Sequence, residues 1–266
     1  RPPSGVQYNR SMDLNGKGIL IAGATGGLGS ESVMALASHS CSLMLVHRYD
    51  DDRFELLRTR LKEASARFSF YRSDFTKADE INDAIQIFFE QEKEPYALVN
   101  LIGDPARVDW QKAQIAHMQD SFLKNASAPL HSAKEFGLRL RAANRSGAII
   151  LFSSMQGIYP FENSLYYGTA KSALIHGAKI LAKEFGGAPF VRVNVIAPGV
   201  NQAGMAAESI QKGKYDAFVK QNIIPRYGKA EDVGRMVLSL LDPELYMTGQ
   251  TLLYDGGLTL RRDLLR

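Results

Sequence analysis

The sequence predicts an α/β protein: one domain built on a doubly wound, seven-stranded parallel sheet with helices on both faces. Three observations predict it. Strand-length apolar runs alternate with longer segments whose apolar residues recur every three or four positions. The runs are almost continuously apolar, as strands covered on both faces are. A glycine-rich turn joins the first run to the first helical segment. The 266 residues suffice for one large domain and do not require a second.

The runs are Gly18–Ala22, Leu43–Val46, Arg67–Tyr71, Ala97–Ile102, Ala148–Phe152, Val191–Ile196 and Thr251–Tyr254, several of them rich in Val, Ile or Phe. Gly27–Ser40 follows the first run as a helix. Phe54–Ala66 follows the second, with Asp50, Asp51 and Asp52 ahead of it as a cap and first turn. Lys77–Gln91 follows the third. Trp110–Ala143 reads as one long helix after the fourth, Leu165–Phe185 as the helix after the fifth, and Glu231–Leu241 as the last. The exception is 199–228, which breaks the alternation, carries Gly199, Gly204 and Gly213, and is too long for an ordinary connection. It is expected to be a substrate lid containing a short helix. Residues 1–12 are expected to form an N-terminal arm and 13–266 the domain.

Composition excludes several classes. The net charge is +4, and no block of five like charges marks a nucleic-acid surface. No stretch reaches the roughly 18 apolar residues of a membrane span. The polar first 17 residues lack the apolar core of a signal peptide. One cysteine, Cys41, excludes an intrachain disulfide framework and a cysteine-based zinc site. No two of the five histidines have His-x-x-x-His spacing, so no metal site is expected. The expected compartment is the cytoplasm.

The turn reads Gly23-Ala24-Thr25-Gly26-Gly27-Leu28-Gly29. Glycines let the backbone approach a pyrophosphate, and the N-terminus of the following helix offers free N–H groups and a positive dipole end. Tyr167-Gly168-Thr169-Ala170-Lys171 places a phenol and an ammonium one helical turn apart on one face. A cation there lowers the proton affinity of a phenol, whose ordinary pKa of about 10 makes it a poor acid–base group at neutral pH. Tyr166 has only Ala170 four residues on.

The Gly-x-x-x-Gly-x-Gly turn resembles that of the short-chain dehydrogenase/reductase family, and further segments match in order. Asp74 follows the third run. Val99-Asn100-Leu101-Ile102-Gly103 is similar to the family's Asn-Asn-Ala-Gly segment, with Leu101 and Ile102 replacing its second Asn and its Ala. Pro198-Gly199, Thr248-Gly249-Gln250 and Asp255-Gly256-Gly257 complete the series. The resemblance spans about Leu14 to Gly257 and implies a Rossmann fold. It implies a nicotinamide dinucleotide held by Gly23, Thr25, Gly26, Gly27, Leu28, Gly29, His47, Arg48, Asp74, Phe75, Asn100, Gly103, Tyr167, Lys171, Pro198, Gly199 and Val200. It implies a catalytic set of Asn125, Ser154, Tyr167 and Lys171, Ser154 lying thirteen residues before Tyr167 with Ser153 its neighbour and alternative.

In that scheme hydride passes between nicotinamide and a carbonyl carbon. Tyr167 gives the proton, Ser154 orients the oxygen, Lys171 tunes the phenol and binds ribose, and Asn125 holds a relay water. The family commonly has Thr where Ala203 stands, with Asn201 and Gln202 as the substitutes at hand. NADP(H) is favoured over NAD(H), because His47 stands at the usual acidic position and Arg48 follows it. Asp50, 21 residues after Gly29, keeps NAD(H) open. Gln156 and Tyr159 join Ser154 and Tyr167 as expected substrate residues, opposite a lid wall of Met205, Ile210, Tyr215, Phe218 and Ile223. Lys212, Lys214, Lys220 and Arg226 are placed to meet a phosphopantetheine, a coenzyme A or an acidic carrier protein. The leading substrate expectation is a 3-oxoacyl thioester, with a sugar or polyol next. A non-catalytic redox sensor is the other class, and it predicts a damaged Tyr or Lys. The resemblance also implies a homotetramer.

Overall fold

The computed structural model describes residues 12–261 and residue 263; most of the expected N-terminal arm lies outside the described residues. The seven strands are β1 (Gly18–Ala22), β2 (Ser42–His47), β3 (Arg67–Arg72), β4 (Pro95–Asn100), β5 (Gly147–Phe152), β6 (Val191–Pro198) and β7 (Thr251–Tyr254). They pair in parallel in the order β3-β2-β1-β4-β5-β6-β7. The order reverses between β1 and β4. Ligands of open α/β sheets bind in the crevice beyond the strand ends at such a point.

Side-chain alternation along the central strands builds two cores. Leu20 and Ala22 of β1 face one side, against α3 (Ala78–Gln91), α5 (Ala128–Ala142) and α6 (Leu165–Glu184) through Phe88, Phe136 and Leu174. Ile19 and Ile21 face the other side, against α1 (Gly27–Ala37), α2 (Asp52–Glu63) and α9 (Ala230–Leu240) through Leu36, Leu61 and Val237. All these side chains are fully buried, each worth about 1.5–3 kcal/mol of transfer free energy for the larger ones. Arg192 is buried on β6 and donates to Leu240 O (2.9 Å), Asp242 O (2.9 Å) and Tyr96 Oη (3.2 Å). Its cation thus caps the carbonyl end of α9 and fixes that helix to the sheet.

Most boundaries shift by one to three residues from the sequence reading, and two differences bear on the site. The expected helix Trp110–Ala143 is α4 (Ile115–Phe122) and α5 joined by a π-helical turn, Leu123–Ser127. Pro129 has no N–H to return to the carbonyl of Asn125, so the regular ladder is interrupted there. Trp110 stands in the preceding loop. The fourth strand ends at Asn100 and not at Ile102, because the Asn100 side chain accepts from Ile102 N–H (2.9 Å) and turns the chain.

The lid, 199–228, is pinned at its neck. Gln202 N–H donates to Gly228 O (2.8 Å) and Gly228 N–H to Val200 O (2.9 Å). It holds α7 (Ala207–Gln211) and α8 (Asp216–Lys220). It also has a core of its own: Val200, Ile223 and Ile224 pack with Met155 and Leu258, and Ile210, Tyr215 and Phe218 pack against them.

Candidate active site

A cavity of about 570 Å³ opens at the carboxyl ends of β1, β2, β4, β5 and β6. At one end lies the glycine turn. Gly26 caps α1 without a side chain accepting from the first turn, so those N–H groups remain available. Gly23 has φ +82°, and a Cβ on Gly29 would overlap the Gly23 carbonyl oxygen. The turn therefore closes only with glycine at both places. Thr25 through Gly29 line the cavity. This bare-backbone cradle on a helix N-terminus fits the pyrophosphate of a dinucleotide.

At the end of β2, His47 is buried, stacked on Phe54 at 4.4 Å, with Nδ1 3.3 Å from Asp50 Oδ1. Asp51 caps α2 by accepting from Phe54 N–H (3.1 Å) and pairs with Arg53 (2.7 Å). Asp52 stands in the first helical turn. Two of the three aspartates thus serve α2, as expected, while Asp50 turns to His47. Arg48 is half exposed on the cavity wall, its guanidinium over Tyr49 at 4.5 Å and 3.9 Å from Asp74 Oδ2. Burial pushes the Asp74 carboxyl up. Hydrogen bonds from Thr76 and the charges of Arg48 and Lys77 outweigh it and hold that carboxyl below its ordinary value. Phe75 lines the same end.

The opposite end gathers Ser154, Tyr167 and Lys171. Ser154 follows β5 in extended conformation, and its hydroxyl bonds the Tyr167 phenol. Ser153 donates instead to Lys171 O (3.0 Å), which removes it as the alternative at the phenol. Burial pushes Tyr167 up to about 12; the Ser154 bond opposes this and the Asp104 charge adds to it. Burial pushes Lys171 down to about 7. The Lys171 ammonium donates to Phe152 O (2.8 Å) and lies 5.8 Å from the centre of the Tyr167 ring. Burial is thus the largest influence on both proton affinities, and the lysine is directed to a carbonyl.

Asn125 lies behind this group, fully buried, in the π-helical turn. Its Oδ1 accepts from Asp104 N–H (3.0 Å) and its Nδ2 donates to Asp104 O (2.9 Å). A Cβ on Gly103 would lie 3.1 Å from both Asn125 Oδ1 and Lys171 Nζ. A side chain at 103 would therefore press on amide and ammonium together, and the bare α-carbon lets both approach.

Most expected residues share the cavity wall: the turn, His47, Arg48, Asp74, Phe75, Gly103, Pro198, Gly199, Ser154, Tyr167 and Lys171. Asn100 and Val200 do not; Asn100 is buried on Ser132 (2.9 Å) and Val200 belongs to the lid core. Gln156 and Tyr159 line a second cavity of about 800 Å³ with Trp110, Leu165, Gly168, Thr169 and Ser172. Those α6 positions stand on a different side of the helix from Tyr167 and Lys171. Of the expected lid wall only Met205 reaches the cavity, beside Ala203 and Ala206. Asn201 is held at the neck, its amide donating to Gly199 O (3.0 Å). The lid cations are engaged locally: Lys212 with Glu208 (2.6 Å), Lys220 with Asp216 (2.9 Å), Arg226 with Asp232 (2.6 Å), and Lys214 over Tyr215 (5.5 Å). Sequence reasoning missed Asp104 and Lys124, both on the wall. Their only signal was adjacency to Gly103 and Asn125. Among the described residues no cluster of metal-ligating side chains occurs, and no helix is long and apolar enough to cross a membrane.

The family model described as enoyl-(acyl carrier protein) reductase matches residues 23–259. A cyclohexanol dehydrogenase of a Rhodococcus species is 29 % identical over 94 % of this chain and 98 % of its own. A 3-oxoacyl-(acyl-carrier-protein) reductase of Thermotoga maritima is 27 % identical, over 94 % and 100 %. The structure of a short-chain type dehydrogenase/reductase from Mycobacterium ulcerans superposes with a TM-score of 0.85 at 23 % identity, covering 94 % of this chain and 92 % of that one. The fold and the matched span define a nicotinamide-dependent oxidoreductase acting on a carbonyl or its alcohol. The chain belongs to the short-chain dehydrogenase/reductase family.

Proposed function

We propose that the protein interconverts a ketone and a secondary alcohol with Tyr167 as the proton donor, and that it prefers NADP(H) to NAD(H). One observation carries the reading: Ser154, Tyr167 and Lys171 converge at one end of a cavity whose other end is the glycine cradle. When bound, the nicotinamide supplies or accepts the hydride at the carbonyl carbon. Ser154 and Tyr167 direct their hydroxyls at the carbonyl oxygen, and Tyr167 transfers its proton there as the C–H bond forms. Its high proton affinity keeps it a neutral acid until that moment. Lys171, with a pKa near 7, gains and loses a proton at neutral pH and so reloads the phenol while binding the ribose. Asn125, which meets Lys171 across Gly103, serves the relay that links Lys171 to solvent.

Arg48 supports the cofactor preference. It is the half-exposed cation at the ribose end, while Asp50 and Asp51 are turned to His47, Arg53 and α2. A guanidinium there pairs with a 2′-phosphate. A homotetramer in the cytoplasm belongs to the same reading; the buried, unpaired Cys41 accords with a reducing compartment.

Tyr167→Phe tests the proposal. The ring's packing is retained and the proton is lost, so turnover of any accepted ketone is expected to fall at least about a thousandfold. Cofactor affinity, followed by fluorescence of the reduced nicotinamide, is expected to stay within a few-fold. Turnover within tenfold of wild type refutes the assignment.

A further inference from the structure

The reacting end of the cavity holds a carboxylate that the chemistry above does not use. Gly103 packs between Lys171 Nζ (3.1 Å from a Cβ built on it) and Met205 Cε (3.4 Å), and Asp104 is the next residue. Asp104 lines the cavity with Tyr167, and its side chain is 44 % exposed, so its charge is neither buried away nor turned to bulk solvent. Its place is fixed twice: both its backbone groups are held by the Asn125 amide, and its Oδ1 accepts from Ala106 N–H (2.8 Å). Its Oδ2 is 3.9 Å from Lys124 Nζ, but that ammonium is closer to Asp120, at 2.8 Å. The neighbouring cation, Arg107, is taken up by Met205 O (2.7 Å) and Glu208 Oε2 (3.1 Å). Around it the wall combines apolar Leu101, Ile102, Phe152 and Met205 with the ammonium groups of Lys124 and Lys171.

We infer that Asp104 is a specificity-determining residue that closes the reacting end to anionic substrates and reserves it for uncharged ketones and alcohols. This deepens the proposed carbonyl chemistry and rests on it. A carboxylate or phosphate brought to the Tyr167 end meets the Asp104 charge, while the two ammonium groups on that wall are engaged elsewhere, Lys124 with Asp120 (2.8 Å) and Lys171 with Phe152 O (2.8 Å). The four lid cations that would recognise a phosphopantetheine or coenzyme A each have a local partner, three within the lid and Arg226 on Asp232 of α9. A carrier-bound thioester is therefore a poorer fit than a neutral ketone, which the apolar wall accepts.

The test is a pair of ketones matched in shape and differing in charge, an oxocyclohexanecarboxylate and its methyl ester, with linear and aryl keto acids and their esters as further pairs. Wild type is expected to favour the neutral member in kcat/KM by about tenfold or more at low salt. Asp104→Asn keeps an acceptor for Ala106 and is expected to shrink that ratio at least about fivefold, while Asp104→Glu restores most of it. High salt is expected to narrow the wild-type ratio and leave the Asn variant's unchanged. A ratio near one in wild type, or one equal in wild type and Asp104→Asn, overturns this inference and leaves the carbonyl chemistry standing. Cofactor binding with no turnover of any neutral or charged ketone overturns the chemistry itself. Thermal unfolding of each variant separates a lost charge from a lost fold.

Discussion

Replacing Lys171 by Met in the cofactor-free protein is expected to remove a pH dependence from its stability. The ammonium is 2 % exposed, and burial brings its pKa from 10.5 down to about 7. The unfolded chain then holds more protons than the folded one between those values, so stability rises with pH across that window. Below about pH 7 the full cost of the buried charge is present, on the order of 5 kcal/mol at ~1.4 kcal/mol per tenfold. The cost falls away toward pH 10.5. Two groups oppose it higher up: Cys41, pushed up to about 11 by burial, and Tyr167, pushed up to about 12, retain protons that the unfolded chain has lost. The clean interval is therefore pH 7 to 8.5, where Lys171 contributes a gain of about 1.5 kcal/mol. Urea unfolding at fixed protein concentration reads this as a rise in midpoint of about 0.5 M, taking a slope near 3 kcal/mol/M. In Lys171→Met the rise is expected to vanish, and at pH 7 the variant gains stability despite the unpaired Phe152 carbonyl. Equal pH dependence in the two proteins refutes the argument, because the slope then belongs to other groups.

Gly103→Ala places a methyl 3.1 Å from both Lys171 Nζ and Asn125 Oδ1. It is expected to push the ammonium and the amide out of place and cut turnover at least about tenfold with little change in cofactor affinity, measured by single-turnover kinetics and binding together. Wild type is expected to prefer NADPH to NADH by more than about tenfold in kcat/KM, and Arg48→Ala to collapse that preference, because a charge-assisted hydrogen bond contributes roughly 1.5–3 kcal/mol. A wild type that prefers NADH assigns the ribose to the aspartates beside Arg48.

The site was legible where chemistry is carried by local spacing. Tyr167 and Lys171 share a helix face because they are four residues apart, and the glycine turn is recognisable because it stands between a strand and a helix. The choice of Ser154 over Ser153 needed the family offset, and the structure supplies a physical reason in the bond from Ser153 to Lys171 O. Asp104 and Lys124 had no signal beyond standing next to Gly103 and Asn125. The Asn125 amide, distant in sequence from Asp104, holds the backbone of Asp104 at the cavity wall.

The sequence by itself determined the order and kind of the elements, the strand that carries the phosphate turn and the helix that carries the phenol. These follow from periodicity and glycine placement, which are short-range properties of the chain. The tertiary structure alone decided where side chains with ambiguous patterns are spent. Ile210, Tyr215, Phe218 and Ile223 read as a substrate wall, yet they fold the lid onto Met155 and Leu258, because a separate loop of this length needs its own core. Gln156 and Tyr159 fall into a second cavity because the chain between Ser154 and α6 runs past that helix on another side. The long fourth helix breaks at Pro129, and the same break puts Asn125 in a wider turn behind Lys171. Burial is a sum over the whole fold, and it is the largest influence that brings a lysine down to about 7 beside a tyrosine raised to about 12.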